Sequence, residues 1–204
     1  MRLFASSTSP FVRKVSVLIR EAWLTDQVEV VPVTGGVTNP GTMPLQHNPL
    51  GKIPALERPD GPALYDSRVI CRYLDDLAGA GLYPAAADLW DVLTLEATAD
   101  GILESAVLIM YESHLRPEGV RYAPWVEGQW AKIDRALDAL ESRWMDTLEG
   151  SLTMAQIAVG VAMGYLDFRL ADRNWRQGRP RLAVWDAHFA TRPSMQATRP
   201  VASA

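Results

Sequence analysis

The sequence contains a single cysteine, Cys71, among 204 residues. That excludes an internal disulfide and any zinc or redox site built on a cysteine pair, and it makes a reducing compartment the expectation. Three histidines, His47, His114 and His188, stand apart without the close spacing of metal ligands, so no metal is expected. No uncharged apolar run reaches the length of a membrane span, and no apolar secretory core follows Met1. A cytoplasmic location away from membranes is the expectation. An excess of basic charge is also missing. The formal net charge of −4 argues against a general binder of nucleic acid or anionic lipid. There is no glycine-rich phosphate loop and no internal repeat.

The remaining composition is that of a globular protein able to bury a core, with 48% hydrophobic and 22% charged residues. The length suits one large domain or two small ones. Arg2 to Ala5 is short and apolar, and small polar residues follow. Ser9-Pro10 then predicts an N-cap and first helical position, because proline has no N–H to lose there. Phe11, Val15, Leu18 and Ile19 recur at helical spacing, with Arg13, Lys14 and Arg20 off that stripe. Gln27 to Val33 reads as a second strand, which should run parallel to the first. Residues 34–47 carry three glycines and two prolines and predict an irregular crossing with at most one helical turn. Ile53 to Glu57 and Ala63 to Tyr65 read as strands around an Asp60-Gly61 turn. Asp66-Ser67 caps a helix whose inward face would carry Val69, Ile70, Tyr73, Leu74 and Leu77, with Cys71 as a small core residue.

Residues 79–87 read as a linker between domains at 1–78 and 88–204. Beyond it strand signals vanish. Leu89 to Leu115 predicts one long helix, and Trp125 to Leu148 another, with Trp130, Ile133, Leu137, Leu140 and Trp144 inward. Thr153 and Gln156 have capping-box spacing, with Leu152 and Ile157 placed as a hydrophobic staple. The following residues, Ile157 to Leu170, are apolar nearly all round, which predicts a helix at the centre of its domain. Arg181 to Thr191 should form a last short helix with Leu182 and Trp185 inward. The chain after Pro200 is expected to be loose. The tryptophans are read as packing residues, mostly of the helical half.

Three short stretches can carry chemistry. In Asn48-Pro-Leu-Gly-Lys-Ile-Pro-Ala-Leu56, Pro54 stands at the mouth of a strand. It either simply opens that strand or forms a cis bond that leaves the backbone of Ile53 open to an extended peptide. Ser9 is either an ordinary N-cap or a hydroxyl placed to donate to a thiolate at a helix N-terminus. Asp66-Ser67 is either a second cap or a holder for a head group bearing both an ammonium and a carboxylate. Lys52 can supply a charge to a further carboxylate.

The order of these pieces, with the Thr153-x-x-Gln156 box downstream, resembles the cytosolic glutathione S-transferase family over essentially the whole chain. Thr8-Ser-Pro-Phe-Val-Arg-Lys-Val15 is similar to its bacterial serine-type members. The resemblance implies an α/β thioredoxin-like N-terminal domain, β-α-β-α-β-β-α, followed by an all-α C-terminal helical bundle that forms the second-substrate pocket. It implies glutathione as co-substrate, a small electrophile as second substrate, and a homodimer. It assigns the glutathione thiol to Ser9 with Phe11 beside it, and the cysteinyl backbone to Ile53 before a cis Pro54. The glycine carboxylate falls to Lys52 and the γ-glutamyl head to Asp66 and Ser67. Asp100 would reach a partner subunit's glutathione. Two departures matter. Gln156 replaces the family's usual Asp, and the run Ser6-Ser7-Thr8-Ser9 leaves Ser6 or Ser7 as alternative donors. A non-catalytic glutathione-binding module of the same fold is the alternative function. A disulfide-exchanging enzyme would want cysteine at position 9.

Overall fold

A computed structural model describes residues 1–201, apart from the side chain of Ala86. The chain forms two compact units. One comprises Met1–Pro84 with the segment from Pro193 onward, and the other is Ala85–Arg192.

The first unit is a four-stranded sheet with helices. β1 (Arg2–Ala5) leads into α1 (Pro10–Glu21) and β2 (Glu29–Pro32), and then β3 (Ala55–Arg58), β4 (Gly61–Leu64) and α2 (Ser67–Ala78) follow. The order across the sheet is β2-β1-β3-β4, with β1 and β2 parallel and the other pairs antiparallel. β1 is an inner strand, so Leu3, Phe4 and Ala5 are buried in succession instead of alternating. Both outer strands contain a proline, Pro32 and Pro62, where a missing ladder donor is tolerated. Among the described residues no helix forms between β2 and β3. That crossing is built of turns, as its glycines and prolines dictate.

Ser9 caps α1 by accepting the Val12 N–H at 3.3 Å, with Pro10 in the first turn. Gly79, at φ 59°, ends α2 in the left-handed conformation that a Cβ would penalise. Arg13 and Lys14 were expected off the apolar stripe of α1, yet they are buried, Lys14 completely. For Arg13 the cause is tertiary, because its Nη2 donates to the carbonyl of Met195 at 3.2 Å. The inward face of α2 is Ile70, Cys71 and Leu74. Val69 and Leu77, expected there, are about half exposed.

The second unit is all helical. It contains α3 (Leu89–Leu115), α4 (Ala123–Arg143), α5 (Met145–Leu148), α6 (Met154–Arg169) and α7 (Pro180–Phe189). α6 is its centre, with every residue from Met154 to Met163 buried. The capping box forms, with the Thr153 N–H donating to Gln156 Oε1 at 2.9 Å and Ala155 N–H to Thr153 Oγ1 at 3.2 Å. Glutamine adds what aspartate lacks, because its Nε2 donates to the carbonyls of Thr147 and Ser151 at 2.8 and 2.9 Å. The helix expected over 125–148 is divided at Trp144 into α4 and α5. At the C-terminal end of α5, the Thr147 carbonyl accepts from Gln156 Nε2 and the Leu148 carbonyl from Trp185 Nε1, each at 2.8 Å. Trp175 and Trp185 are core residues, whereas Trp90 in this unit and Trp23 in the first are exposed.

The segment from Pro193 was expected in the helical domain. It groups instead with the first unit, where α8 (Pro193–Ala197) packs on α1 through Arg13 and through a Ser194 hydroxyl donated to Glu21. The stretch expected to be loose lies, beyond Val201, outside the described residues.

Candidate functional site

Strand register gathers the three motifs at one end of the sheet. β1 pairs with β3 through Phe4 and Ala55, so the serine loop after Ala5 emerges beside Ile53-Pro54. β3 pairs with β4 through Leu56 and Leu64, so Tyr65-Asp66 emerges on the other side of the same segment. Asp100 belongs to α3 in the helical unit and is buried, with 3% exposure.

The Ile53-Pro54 bond is cis, as is Tyr65-Asp66. Neither the N–H nor the C=O of Ile53 makes a hydrogen bond among the described residues, although the side chain is half-buried. Asn48, with 2% exposure, fixes the approach to this segment. Its Nδ2 donates to the Lys52 carbonyl at 2.8 Å, and its Oδ1 accepts the Leu50 N–H at 3.0 Å. Gly51 sits at φ 61° in the same turn, where an added Cβ would also press on Leu45 at 3.2 Å. Lys52 is exposed and makes no ion pair among the described residues.

In the serine loop, the Ser6 and Thr8 hydroxyls pair at 3.3 Å and Ser7 is exposed. Ser9 uses an acceptor lone pair on Val12, which leaves its hydroxyl hydrogen available to donate. Phe11 is half-buried in the first turn of α1. Across the sheet end, Ser67 has 2% exposure, and its hydroxyl makes no hydrogen bond among the described residues. The hydroxyl is not among the fully buried unpaired atoms, so it keeps access to the surface and can meet a ligand there. Asp66 beside it accepts the Arg68 backbone N–H at 3.0 Å and the Arg68 Nη2 at 2.8 Å. Burial works to raise the Asp66 carboxyl. The hydrogen bonds and charge of Arg68, with the charge of Lys14, outweigh it and hold the group below its ordinary value.

The arrangement therefore offers an unpaired backbone edge, a carboxylate kept ionised, a serine hydroxyl and N–H at a helix start, an exposed ammonium and a helix N-terminus with a hydroxyl cap. These are complementary to a short peptide with charged ends. Asn48 was read only as the start of a turn and Lys14 only as off the apolar stripe of α1, and Arg68 was not singled out from the sequence. Asp66-x-Arg68 at a helix start was the one local signal available for Arg68. A cavity of about 660 Å³ in the helical unit, lined in part by Leu152, Val184, Trp185 and Phe189, contains none of the expected site residues. No group of three or more metal-ligating side chains occurs among the described residues, and none of their helices is long and apolar enough to cross a membrane.

Comparison with known proteins places the chain in a family. Residues 8–77 match the family model of the glutathione S-transferase N-terminal domain, and residues 123–185 that of the C-terminal domain. The GST-like protein YibF of Escherichia coli (strain K12), itself uncharacterised, is 34% identical over 98% of both chains. A glutathione transferase family member from Pseudomonas fluorescens Pf-5, solved with bound glutathione, is 44% identical. It superimposes with a TM-score of 0.95 over 98% of this chain and 99% of its own. A family member from the same source with bound S-(propanoic acid)-glutathione gives 43% identity and a TM-score of 0.91, over 99% and 100% of the two chains. With both halves matched in order and the fold shared along nearly the whole length, this chain belongs to the glutathione S-transferase family.

Proposed function

We propose that this protein is a glutathione transferase that binds glutathione at the sheet end and conjugates its thiol to a small electrophile. The observation that carries the reading is the convergence of Ser9, Ile53 and Asp66-Ser67 at one end of the sheet, beside the unpaired backbone of Ile53. Ile53, ahead of cis Pro54, pairs through its backbone with the cysteinyl residue as an added strand would. Asp66 takes the γ-glutamyl ammonium, and Ser67 takes the adjoining carboxylate through its hydroxyl and N–H. Lys52 takes the glycine carboxylate.

Chemistry falls to Ser9, with Phe11 lining the thiol site. A free cysteine thiol is mostly protonated at neutral pH, and lowering its pKa by about two units needs about 2.7 kcal/mol of preference for the thiolate. The N-terminus of α1 and the Ser9 hydroxyl, which donates to the thiolate, supply a stabilisation of that order. The thiolate then attacks an electrophilic carbon, forming the C–S bond as the leaving group departs or as a conjugated double bond takes up the electron pair. Two relatives solved with glutathione or an S-substituted glutathione support the ligand. Val69 and Leu77, exposed two turns apart on one face of α2, support a homodimer. A cytoplasmic location fits the single buried cysteine.

Calorimetric titration with glutathione, followed by conjugation assays over a panel of electrophiles, tests the reading. Binding together with turnover of at least one electrophile is expected. Binding without turnover would favour a non-catalytic glutathione-binding module, and absence of binding would overturn the function altogether.

A further inference from the structure

We propose that Arg169, with Tyr165 and Tyr111, forms a carboxylate-binding site on the helical unit for a small organic acid with an aromatic or apolar body. All three residues belong to that unit, Tyr165 and Arg169 to α6 and Tyr111 to α3, and the two helices pack on each other. Tyr165 and Arg169 are one helical turn apart, so their side chains share a face of α6. The Arg169 guanidinium lies over the Phe168 ring at 4.1 Å from its centre, and it donates to the Tyr165 hydroxyl. The Phe168 ring stands 6.5 Å from that of Tyr165. Ring and hydroxyl together hold the planar fork in one orientation.

What this guanidinium lacks is an acid. It is half-buried, yet it makes no ion pair among the described residues. Sheltered arginines elsewhere in the unit are matched, Arg173 with Glu127 at 2.7 Å and Arg179 with Asp134 and Asp138 at 2.6 and 2.7 Å. The last turn of α6 gives Arg169 only the partial negative charge of a helix end. Its bond to Tyr165 leaves N–H groups enough for the two parallel bonds that a carboxylate accepts. Tyr165 adds a further donor. Burial raises its phenol by more than the charge and hydrogen bond of Arg169 lower it, so the hydroxyl keeps its proton. The body of the ligand has a place as well. Tyr111, 40% exposed, is within electrostatic reach of the Tyr165 hydroxyl. Leu108 and Leu115, one turn to either side of it on α3, are also exposed. An apolar strip that ends at a guanidinium without a counter-ion suits an acid with its carboxylate on the fork. A neutral or cationic ligand would leave the fork unmatched.

Calorimetry of the full chain with phenylacetate and with the uncharged phenylacetamide tests the site. The wild type is expected to bind the acid about tenfold more tightly than the amide, the worth of charge-assisted hydrogen bonds. Arg169→Met should remove that difference, weakening the acid and leaving the amide unchanged. Arg169→Lys should recover part of the loss, since an ammonium restores charge but not the fork. Tyr165→Phe should weaken the acid by roughly three- to tenfold. Phenylacetate competing with an electrophile in a conjugation assay would identify the acid group as a feature of the second substrate. Phenylacetate bound without effect on that assay would identify an acid site separate from the reaction, and either result supports the proposal. Equal binding of acid and amide by the wild type, or no binding of the acid, would overturn it. So would an unchanged acid affinity in Arg169→Met, or equal losses on both ligands. If Arg169→Met does not fold, Arg169→Lys decides, because wild-type acid affinity in that variant would also overturn the site. Neither ligand contains glutathione, so failure of the functional reading would leave this result standing.

Discussion

Asn48 Nδ2 donates to the carbonyl oxygen of Lys52 at 2.8 Å, and the amide that does so is almost fully buried. This bond, with the Leu50 N–H on Asn48 Oδ1, determines the path by which the chain delivers Ile53 to the sheet end. Asn48→Ala removes a buried donor and acceptor, and should destabilise the protein by about 1–3 kcal/mol. Glutathione affinity should fall with it, by roughly tenfold. Thermal unfolding and calorimetry read the two effects, and wild-type affinity in the variant would separate Asn48 from the site.

Ser9→Ala should lower kcat for conjugation by about 10- to 100-fold, the worth of a hydrogen bond to a charged group. The KM for glutathione should stay within about twofold, because Ser9 acts on the thiolate and not on the peptide ends. The helix cap is lost as well, at a stability cost of about 1 kcal/mol. Ser9→Thr keeps both functions and serves as the control. An unchanged kcat would remove Ser9 from the mechanism, and loss in Ser6→Ala or Ser7→Ala instead would transfer the role to that residue.

Ser67→Ala separates binding from folding. Its hydroxyl makes no hydrogen bond among the described residues, so stability should change by no more than about 0.5 kcal/mol. Glutathione should bind roughly tenfold more weakly. A large drop in thermal stability without loss of affinity would contradict the assignment.

Gln156→Asp tests the departure from the family's usual residue. Aspartate can still accept from the Thr153 N–H, but it cannot donate to the carbonyls of Thr147 and Ser151. About 1–3 kcal/mol of stability should be lost, lowering Tm by roughly 2–4 °C for each kcal/mol in a chain of this size. A Tm equal to the wild type would show those two bonds to be dispensable.

Val69→Glu and Leu77→Glu place charges on an exposed apolar face of α2. Self-association should weaken, and sedimentation velocity should show a shift from dimer toward monomer. If the wild-type chain already sediments as a monomer, the dimer expectation falls.

Local signals were readable wherever the physics is local. Ser9-Pro10 and Thr153 with Gln156 announced their helices, because a cap involves only the next few residues. The long helix Leu89–Leu115 followed from periodicity alone. Outward and inward faces were less secure. Val69 and Leu77 read as core, yet they are half exposed, because apolar spacing does not say which of two adjacent stripes meets the sheet. Arg13 was misplaced for a related reason. Its burial depends on the segment around Met195, far along the chain, which no helical period on α1 encodes. The division at Trp144 was hidden too, since the apolar period runs on through it, while the end of α5 is held by Gln156 of α6 and Trp185 of α7.

The sequence by itself determined where the capped helices α1, α2 and α6 begin, which residues have chemistry to offer, and that Pro54 stands at the mouth of a strand. Caps, turns and proline geometry act over a few bonds and are written into neighbouring residues. Only the tertiary structure decided that the serine loop, Ile53 and Asp66-Ser67 leave the sheet at one end, and that Ser67 is almost fully buried there. Strand register and burial depend on segments distant in the chain, and the charge on Asp66 is set by Lys14 from another helix as well as by its neighbour Arg68.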